Sequence, residues 1–127
     1  MSTQRQKILN VARDESLLKS RSAILEGAGY EVIPALTILN VQAACENQSF
    51  DLVIIGYSLP REEKRRVMLA IRKSCGLTPI LELYSPETVP ADHEADEELA
   101  TAGEADVLLA KVKELLARPR KRRQVAR

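Results

Sequence analysis

Aromatic side chains are almost missing from this chain of 127 residues. It has three tyrosines, one phenylalanine and no tryptophan, and these make up 3% of the sequence. Proteins that bind single-stranded nucleic acid stack the bases on aromatic rings, so a surface of that kind is nearly excluded. Because 45% of the residues are hydrophobic, we expect one domain with an aliphatic core.

Cysteine and histidine are also scarce, which argues against a zinc site. The two cysteines, Cys45 and Cys75, lie far apart, there is no C-x-x-C motif, and His93 is the only histidine. Zinc sites and disulfide frameworks both need more such residues at short spacings. We therefore expect both cysteines to be small apolar core residues in a reducing compartment. His93 is expected to be a surface residue, since no catalytic partner is recognisable.

Long apolar runs and catalytic motifs are absent as well. No apolar stretch approaches the roughly 18 residues needed to cross a bilayer, and the first residues lack the apolar segment of a signal peptide. The sequence therefore predicts a cytoplasmic protein with no membrane span. It has no G-x-S-x-G motif and no glycine-rich phosphate loop, so we expect neither enzymatic activity nor a cofactor.

Positive charge is concentrated at one end of the chain. The net charge is only +1, yet the last ten residues hold six basic groups and no acid. Such a tail could contact nucleic-acid phosphates without sequence preference or an anionic membrane surface. It could equally be a linker remnant or a solubilising end. The basic residues are Arg118, Arg120, Lys121, Arg122, Arg123 and Arg127.

Short apolar runs alternate with helical patterns along the rest of the chain. This order predicts an α/β fold, with a five-stranded parallel sheet covered on both faces. The segment 85–92 holds two prolines and predicts an irregular connection. The predicted strands span 8–11, 30–33, 51–55, 79–83 and 97–100. The predicted helices span 15–26, 37–47, 62–74 and 105–117.

Gly56 follows the most strand-like segment, 51–55, which is a continuous apolar run. In open parallel sheets the functional crevice lies at the carboxyl ends of the strands. A reactive side chain would be expected there, but glycine offers no nucleophile, acid, base or metal ligand. The sequence therefore predicts a crevice at the carboxyl ends of the strands, but without a reactive side chain at position 56.

Four stretches of the chain carry a family resemblance. They are 7–11 with E-G-A-G-Y-E-V at 26–32, D-L-V-I-I-G-Y-S-L-P at 51–60, T-P-I-L-E-L at 78–83, and the ending at 94–112. Occurring in this order, they resemble the receiver domain of two-component response regulators, the CheY-like fold of flavodoxin type. The resemblance covers about residues 6–118, so that 119–127 would be a flexible basic tail.

The resemblance implies a phosphoacceptor site whose residues this chain has replaced. The acceptor aspartate of receivers falls on Gly56, their acidic pair that holds Mg²⁺ on Ala12 and Arg13, their sensing threonine on Tyr84 and their lysine on Thr101. We therefore expect a degenerate acceptor pocket with no metal. Arg13 either replaces the cation or simply pairs with a neighbour, Asp14 or Glu15.

Neighbouring residues offer little compensation. Asp14 and Glu15 could replace the acidic pair only if the first loop slipped by one position, and Ser58 would point elsewhere. The cluster R-E-E-K-R-R at 61–66 predicts a solvated helix start, or else a charged docking patch. The fourth helix of the family is expected to be shortened or missing here, which would change the surface that meets partners.

The sequence thus predicts a non-phosphorylatable receiver-like module that acts through protein–protein interaction. Its partner would be another signalling protein, namely a histidine kinase, a regulator or an output domain, and it could form a homodimer. The alternative is a nucleic-acid-associated regulator that contacts phosphates through the basic tail.

Overall fold

Five strands alternate with four helices in the computed structural model, which describes residues 5–57, 59–84, 95–100 and 105–118. Each predicted strand and helix is found, with bounds that differ by at most two residues at an end. The strands are β1 (Lys7–Val11), β2 (Glu31–Ala35), β3 (Leu52–Ile55), β4 (Ile80–Tyr84) and β5 (Glu97–Ala100). The helices are α1 (Glu15–Gly27), α2 (Ile38–Asn47), α3 (Arg61–Cys75) and α4 (Ala105–Ala117).

The strands form one parallel sheet in the order β2-β1-β3-β4-β5. The predicted α/β fold is thereby confirmed. All four residues of β3 are fully buried, as a central strand with helices on both faces requires. Since every strand runs the same way, all five carboxyl ends lie at one edge of the sheet.

Successive side chains of each strand point to opposite faces, and each face has its own helices. On one face, Leu9, Val11 and Val53 pack with residues of α2 and α3. On the other, Ile8 and Ile54 pack with residues of α1 and α4. The position of a residue in its strand therefore decides which helix it meets.

Two differences from the predicted bounds have simple causes. The strand predicted to end at 33 continues through Pro34 to Ala35, which is tolerated because β2 is an edge strand. Helix α2 begins after Thr37, which is its cap: the hydroxyl accepts a hydrogen bond from the Asn40 amide while the Asn40 side chain accepts one from the Thr37 amide.

The expectation of two reduced cysteines is wrong. Cys45 and Cys75 form a disulfide, with their Cα atoms 5.3 Å apart. Cys45 lies in α2 and Cys75 is the last residue of α3, and the two helices pack side by side on the same face of the sheet. Sequence spacing alone could not reveal this contact, because it depends on how two crossover helices are arranged in space.

Several predictions fall on residues outside the described part of the chain. These are the irregular segment and shortened fourth helix at 85–94 with His93, the residues Ser58 and Thr101, and the tail at 119–127. No helix among the described residues is long and apolar enough to span a membrane.

Candidate functional site at the carboxyl edge of the sheet

Gly56 and Ala12 meet where the central strands β1 and β3 end. The Gly56 amide donates a hydrogen bond of 2.8 Å to the Val11 carbonyl, and a Cβ placed on Gly56 would lie 3.5 Å from the Ala12 Cβ. Both residues are buried. Tyr84, at the end of β4, is half-buried at the same edge.

Glycine is present at position 56 because of space, not because of backbone conformation. The positive-φ glycines of the described residues are Gly29 and Gly76, so the backbone at Gly56 is one that other residues can adopt. A Cβ there would lie 3.0 Å from Arg21 Nη1 and 3.2 Å from the Val11 carbonyl oxygen. The guanidinium of Arg21 therefore fills the space that a side chain at position 56 would need.

Arg21 is a buried cation. Its relative exposure is only 7%, and its guanidinium lies over the Tyr57 ring, 5.7 Å from the centroid. Nη1 is fully buried, and within the described residues it has no hydrogen-bond partner. Burial disfavours the charged form and lowers the pKa of Arg21, an effect that Tyr57 partly opposes.

The α1 helix places Arg21 here through its regular spacing. The buried residues of α1 are Leu18, Arg21 and Leu25, which recur at the three- and four-residue intervals of one helix face. Arg21 is not among the site residues predicted from the sequence, because the family resemblance singles out only the positions of the family's motifs. The available signal was a charged residue in the middle of an otherwise apolar stripe.

Arg13 lies outside the buried pocket. It is 59% exposed, and its Nη1 is 2.7 Å from Glu63 Oε1 on α3. Neither sequence-adjacent acid is its partner in this pair. Asp14 instead caps α1, since its Oδ1 accepts hydrogen bonds from the amides of Ser16 and Leu17. Arg13 thus ties the loop after β1 to the first turn of α3.

The cluster at 61–66 is the start of α3, and Arg61, Glu62, Arg65 and Arg66 are exposed as predicted. Lys64 departs from the prediction of a solvated helix start. It is 2% exposed, and its Nζ donates to Glu82 Oε2 at 3.0 Å and to the Leu83 carbonyl at 2.9 Å. Glu82 is fully buried in β4. Desolvated charges of this kind persist in proteins when they are paired and hydrogen-bonded. The sequence signal was an acidic residue within the apolar run of β4.

The described residues at this edge do not fit Mg²⁺. That ion requires oxygen ligands in octahedral geometry. The nearest side-chain groups to the Cβ position of Gly56 are a guanidinium nitrogen and the Ala12 methyl group. Throughout the described ranges, no group of three acidic, histidine or cysteine side chains could hold a metal ion.

The one basic residue of the tail that the structure describes is bound to the domain. Arg118 pairs with Glu114 at 2.7 Å and with Glu97 at 3.3 Å. Arg118 remains 47% exposed in these pairs. The phosphate-contacting role stays a prediction for Arg118 and for Arg120, Lys121, Arg122 and Arg123.

No protein-family model matches the chain, and no curated protein matches it. Many solved structures do match. A CheY-like receiver domain protein of Methanospirillum hungatei is 27% identical with a TM-score of 0.77, over 89% of this chain and 94% of that one. Chemotaxis protein CheY4 of Vibrio cholerae is 26% identical with a TM-score of 0.76, over 88% and 99%.

A response regulator of Chloroflexus aurantiacus described as putative is 25% identical with a TM-score of 0.78, covering 91% of this chain and all of that one. The chain therefore has the CheY-like receiver fold found in two-component signalling proteins. This agrees with the resemblance seen in the sequence and with the observed strand order.

Proposed function

We propose that this chain is a receiver-like signalling module that is not phosphorylated at the family's acceptor position and acts by binding another protein. One observation carries the proposal. Where the resemblance puts the acceptor aspartate there is Gly56, and the guanidinium of Arg21 occupies the adjoining space. A phosphoryl group has no carboxylate to attack it there.

The charges around the site support the same conclusion. Receivers use acidic residues to hold a cation, but here the matching positions are Ala12 and Arg13, and a second cation, Arg21, is buried beside them. Arg13 is paired with Glu63, so the buried charge of Arg21 is the one that would repel Mg²⁺. The module therefore has no enzymatic step of its own, and its signal is transmitted through a protein interface.

The partner is another signalling protein, that is, a histidine kinase, a regulator, an output domain or a second copy of this chain. Because the module is not switched by aspartyl phosphate, it binds its partner equally with and without a phosphodonor. Affinity capture from the native cell lysate, performed with and without acetyl phosphate, should recover the same partner in both samples.

The direct test is phosphorylation. We expect the intact mass of the protein to be unchanged after incubation with acetyl phosphate and Mg²⁺, whereas a receiver domain that retains an acceptor aspartate gains one phosphoryl group. A phosphoryl adduct on this chain that hydroxylamine removes, as it removes an acyl phosphate, would overturn the proposal.

The proposal includes a cytoplasmic location, and in that compartment the disulfide would not be permanent. Disulfides in the cytosol are usually transient and redox-sensing, since thioredoxin and glutathione keep thiols reduced. The bond between Cys45 and Cys75 would then form and break during the life of the protein. Rapid alkylation of thiols in lysed cells, followed by mass spectrometry, would measure the oxidised fraction.

A further inference from the structure

We propose that Arg21 forms a binding site for a small oxyanion at the carboxyl edge of the sheet, between Gly56 and Tyr57. The ligand is a phosphate or a carboxylate, two anions that present the same pair of oxygens to a guanidinium. This goes beyond the proposed function, because it assigns a ligand class to a pocket that no longer has an acceptor.

The first reason is the unmet hydrogen-bonding capacity of Arg21. A guanidinium carries five N–H donors, yet Arg21 takes part in none of the hydrogen bonds or salt bridges found among the described residues, and its buried Nη1 lacks a partner. Its exposure is only 7%, and the fully buried Nη1 is out of reach of bulk water. Buried cations are normally paired with an anion.

The second reason is that the described carboxylates at the carboxyl edge of the sheet already have partners. Glu63 is bound by Arg13 at 2.7 Å, and Glu82 is bound by Lys64 at 3.0 Å. Asp14 accepts two amide hydrogen bonds at the start of α1. The anion that pairs with the Arg21 guanidinium is therefore a bound ligand and not one of these three side chains.

The third reason is geometric. The Arg21 guanidinium carbon lies over the Tyr57 ring, 5.7 Å from the centroid, and this cation–π contact does not by itself use up the five N–H donors, which lie in the guanidinium plane. Oxyanions approach a guanidinium within that plane, through two parallel hydrogen bonds. Tyr57 and an oxyanion can thus contact Arg21 together. Gly56 and Ala12 place the pair at the strand ends, where ligands of such sheets bind.

The test is a titration of the whole protein with inorganic phosphate, using chloride to hold the ionic strength constant. We expect saturable shifts of the Gly56 and Tyr57 amide resonances in ¹H–¹⁵N spectra. Arg21→Met should weaken the binding at least tenfold. Lys19→Met is the matched control, because it removes the same charge from an exposed position on the same helix and should leave the affinity within twofold.

A second titration, with acetate, distinguishes a phosphate ligand from a carboxylate ligand. Tighter binding of phosphate assigns the site to a phosphate-type ligand, and tighter binding of acetate assigns it to a carboxylate. Gly56→Asp provides an independent check that does not alter Arg21. The introduced carboxylate should pair with the Arg21 guanidinium and abolish the response to both anions.

The inference is overturned if the wild-type protein shows no saturable response to either anion. It is also overturned if Arg21→Met responds like the wild type, or if Gly56→Asp retains full binding. None of these results affects the absence of a covalent phosphoryl adduct, so a failure here is distinguishable from a failure of the proposed function.

Discussion

The residue types at positions 56 and 21 are related, because the two side chains would compete for the same space. The backbone at position 56 does not demand glycine, but a Cβ there would be crowded by the Arg21 guanidinium at 3.0 Å and by the Val11 carbonyl oxygen at 3.2 Å. Conversely, Arg21 can lie over the end of β3 only because no side chain competes for that space. The absence of a side chain at position 56 and the burial of Arg21 beside it are thus sterically coupled.

Substitutions at Gly56 should separate crowding from charge. Gly56→Ala adds a Cβ close to Arg21 and to the Val11 carbonyl, so we expect the free energy of unfolding to fall by about 1–2 kcal/mol. Gly56→Asp suffers the same crowding but supplies an anion to a buried guanidinium. It should be more stable than Gly56→Ala by about 1.5 kcal/mol at neutral pH, as measured by urea unfolding.

The advantage of Gly56→Asp over Gly56→Ala should disappear in acid. Pairing with Arg21 would lower the pKa of the new carboxyl group in the folded state, so its contribution is present at neutral pH and is lost as the pH falls through that pKa. Equal stabilities of the two variants at neutral pH would mean that Arg21 does not attract an anion at this position.

Between elements, the ion pair of Lys64 and Glu82 joins α3 to β4 inside the protein. Glu82→Leu leaves the Lys64 ammonium buried with the Leu83 carbonyl as its described partner. We expect this variant to lose about 3 kcal/mol of unfolding free energy. The double variant Glu82→Leu with Lys64→Met should recover most of that loss, because it removes both charges. Urea unfolding of the two variants measures the difference.

Without recovery in the double variant, the pair would have to contribute through specific packing and not through charge compensation. Lys64→Met alone completes the thermodynamic cycle and gives the coupling energy between the two residues.

The ion pairs that Glu114 makes with Arg118 and Lys111 along α4 are exposed and should respond to pH. The hydrogen bond from Arg118, and then that from Lys111, lowers the pKa of Glu114. The pairs are therefore intact above the usual pKa of a glutamate and are lost as the pH falls through the lowered value. We expect Arg118→Met to raise the pKa of Glu114 towards its usual value in a carboxyl NMR titration.

Lys113→Met is the control for this titration. Lys113 lies on the same helix and takes part in none of these ion pairs, so its removal should change the pKa of Glu114 only slightly. A shift as large as that of Arg118→Met would show that net charge alone, and not the hydrogen bond, sets the pKa.

At the level of elements, the sequence predicted the secondary structure better than it predicted the contacts between elements. Strands and helices follow from local periodicity, which is why β5 and α4 were found with the observed bounds. The Arg21 guanidinium, the Lys64–Glu82 pair and the disulfide each join residues of different elements. Their partners depend on the packing of helices on the sheet, which no local pattern encodes.

For the whole molecule, the disulfide is the strongest single constraint on the unfolded chain. It joins residues separated by 30 positions, and in the chain-entropy view closing a loop of this size stabilises the folded state by about 3.5 kcal/mol. Reduction with dithiothreitol should lower the free energy of unfolding by that amount. The double variant Cys45→Ala with Cys75→Ala should be insensitive to the reductant.

If reduction does not change the stability of the wild-type protein, the two cysteines are not bonded in solution. That result would restore the expectation of two apolar core thiols and would leave the strand order and the Gly56 site unaffected. Titration of thiols under denaturing conditions distinguishes the two states directly.

The covalent ring closed by Cys45 and Cys75 contains β3, Gly56 and nearly all of α3. A protease that cuts inside this ring, for example after one of the arginines at 61, 65 and 66, would break the backbone without releasing a fragment. The nicked protein would migrate as one species until a reductant is added and as two afterwards. Proteolytic damage within this ring would therefore stay hidden from any assay that keeps the bond intact.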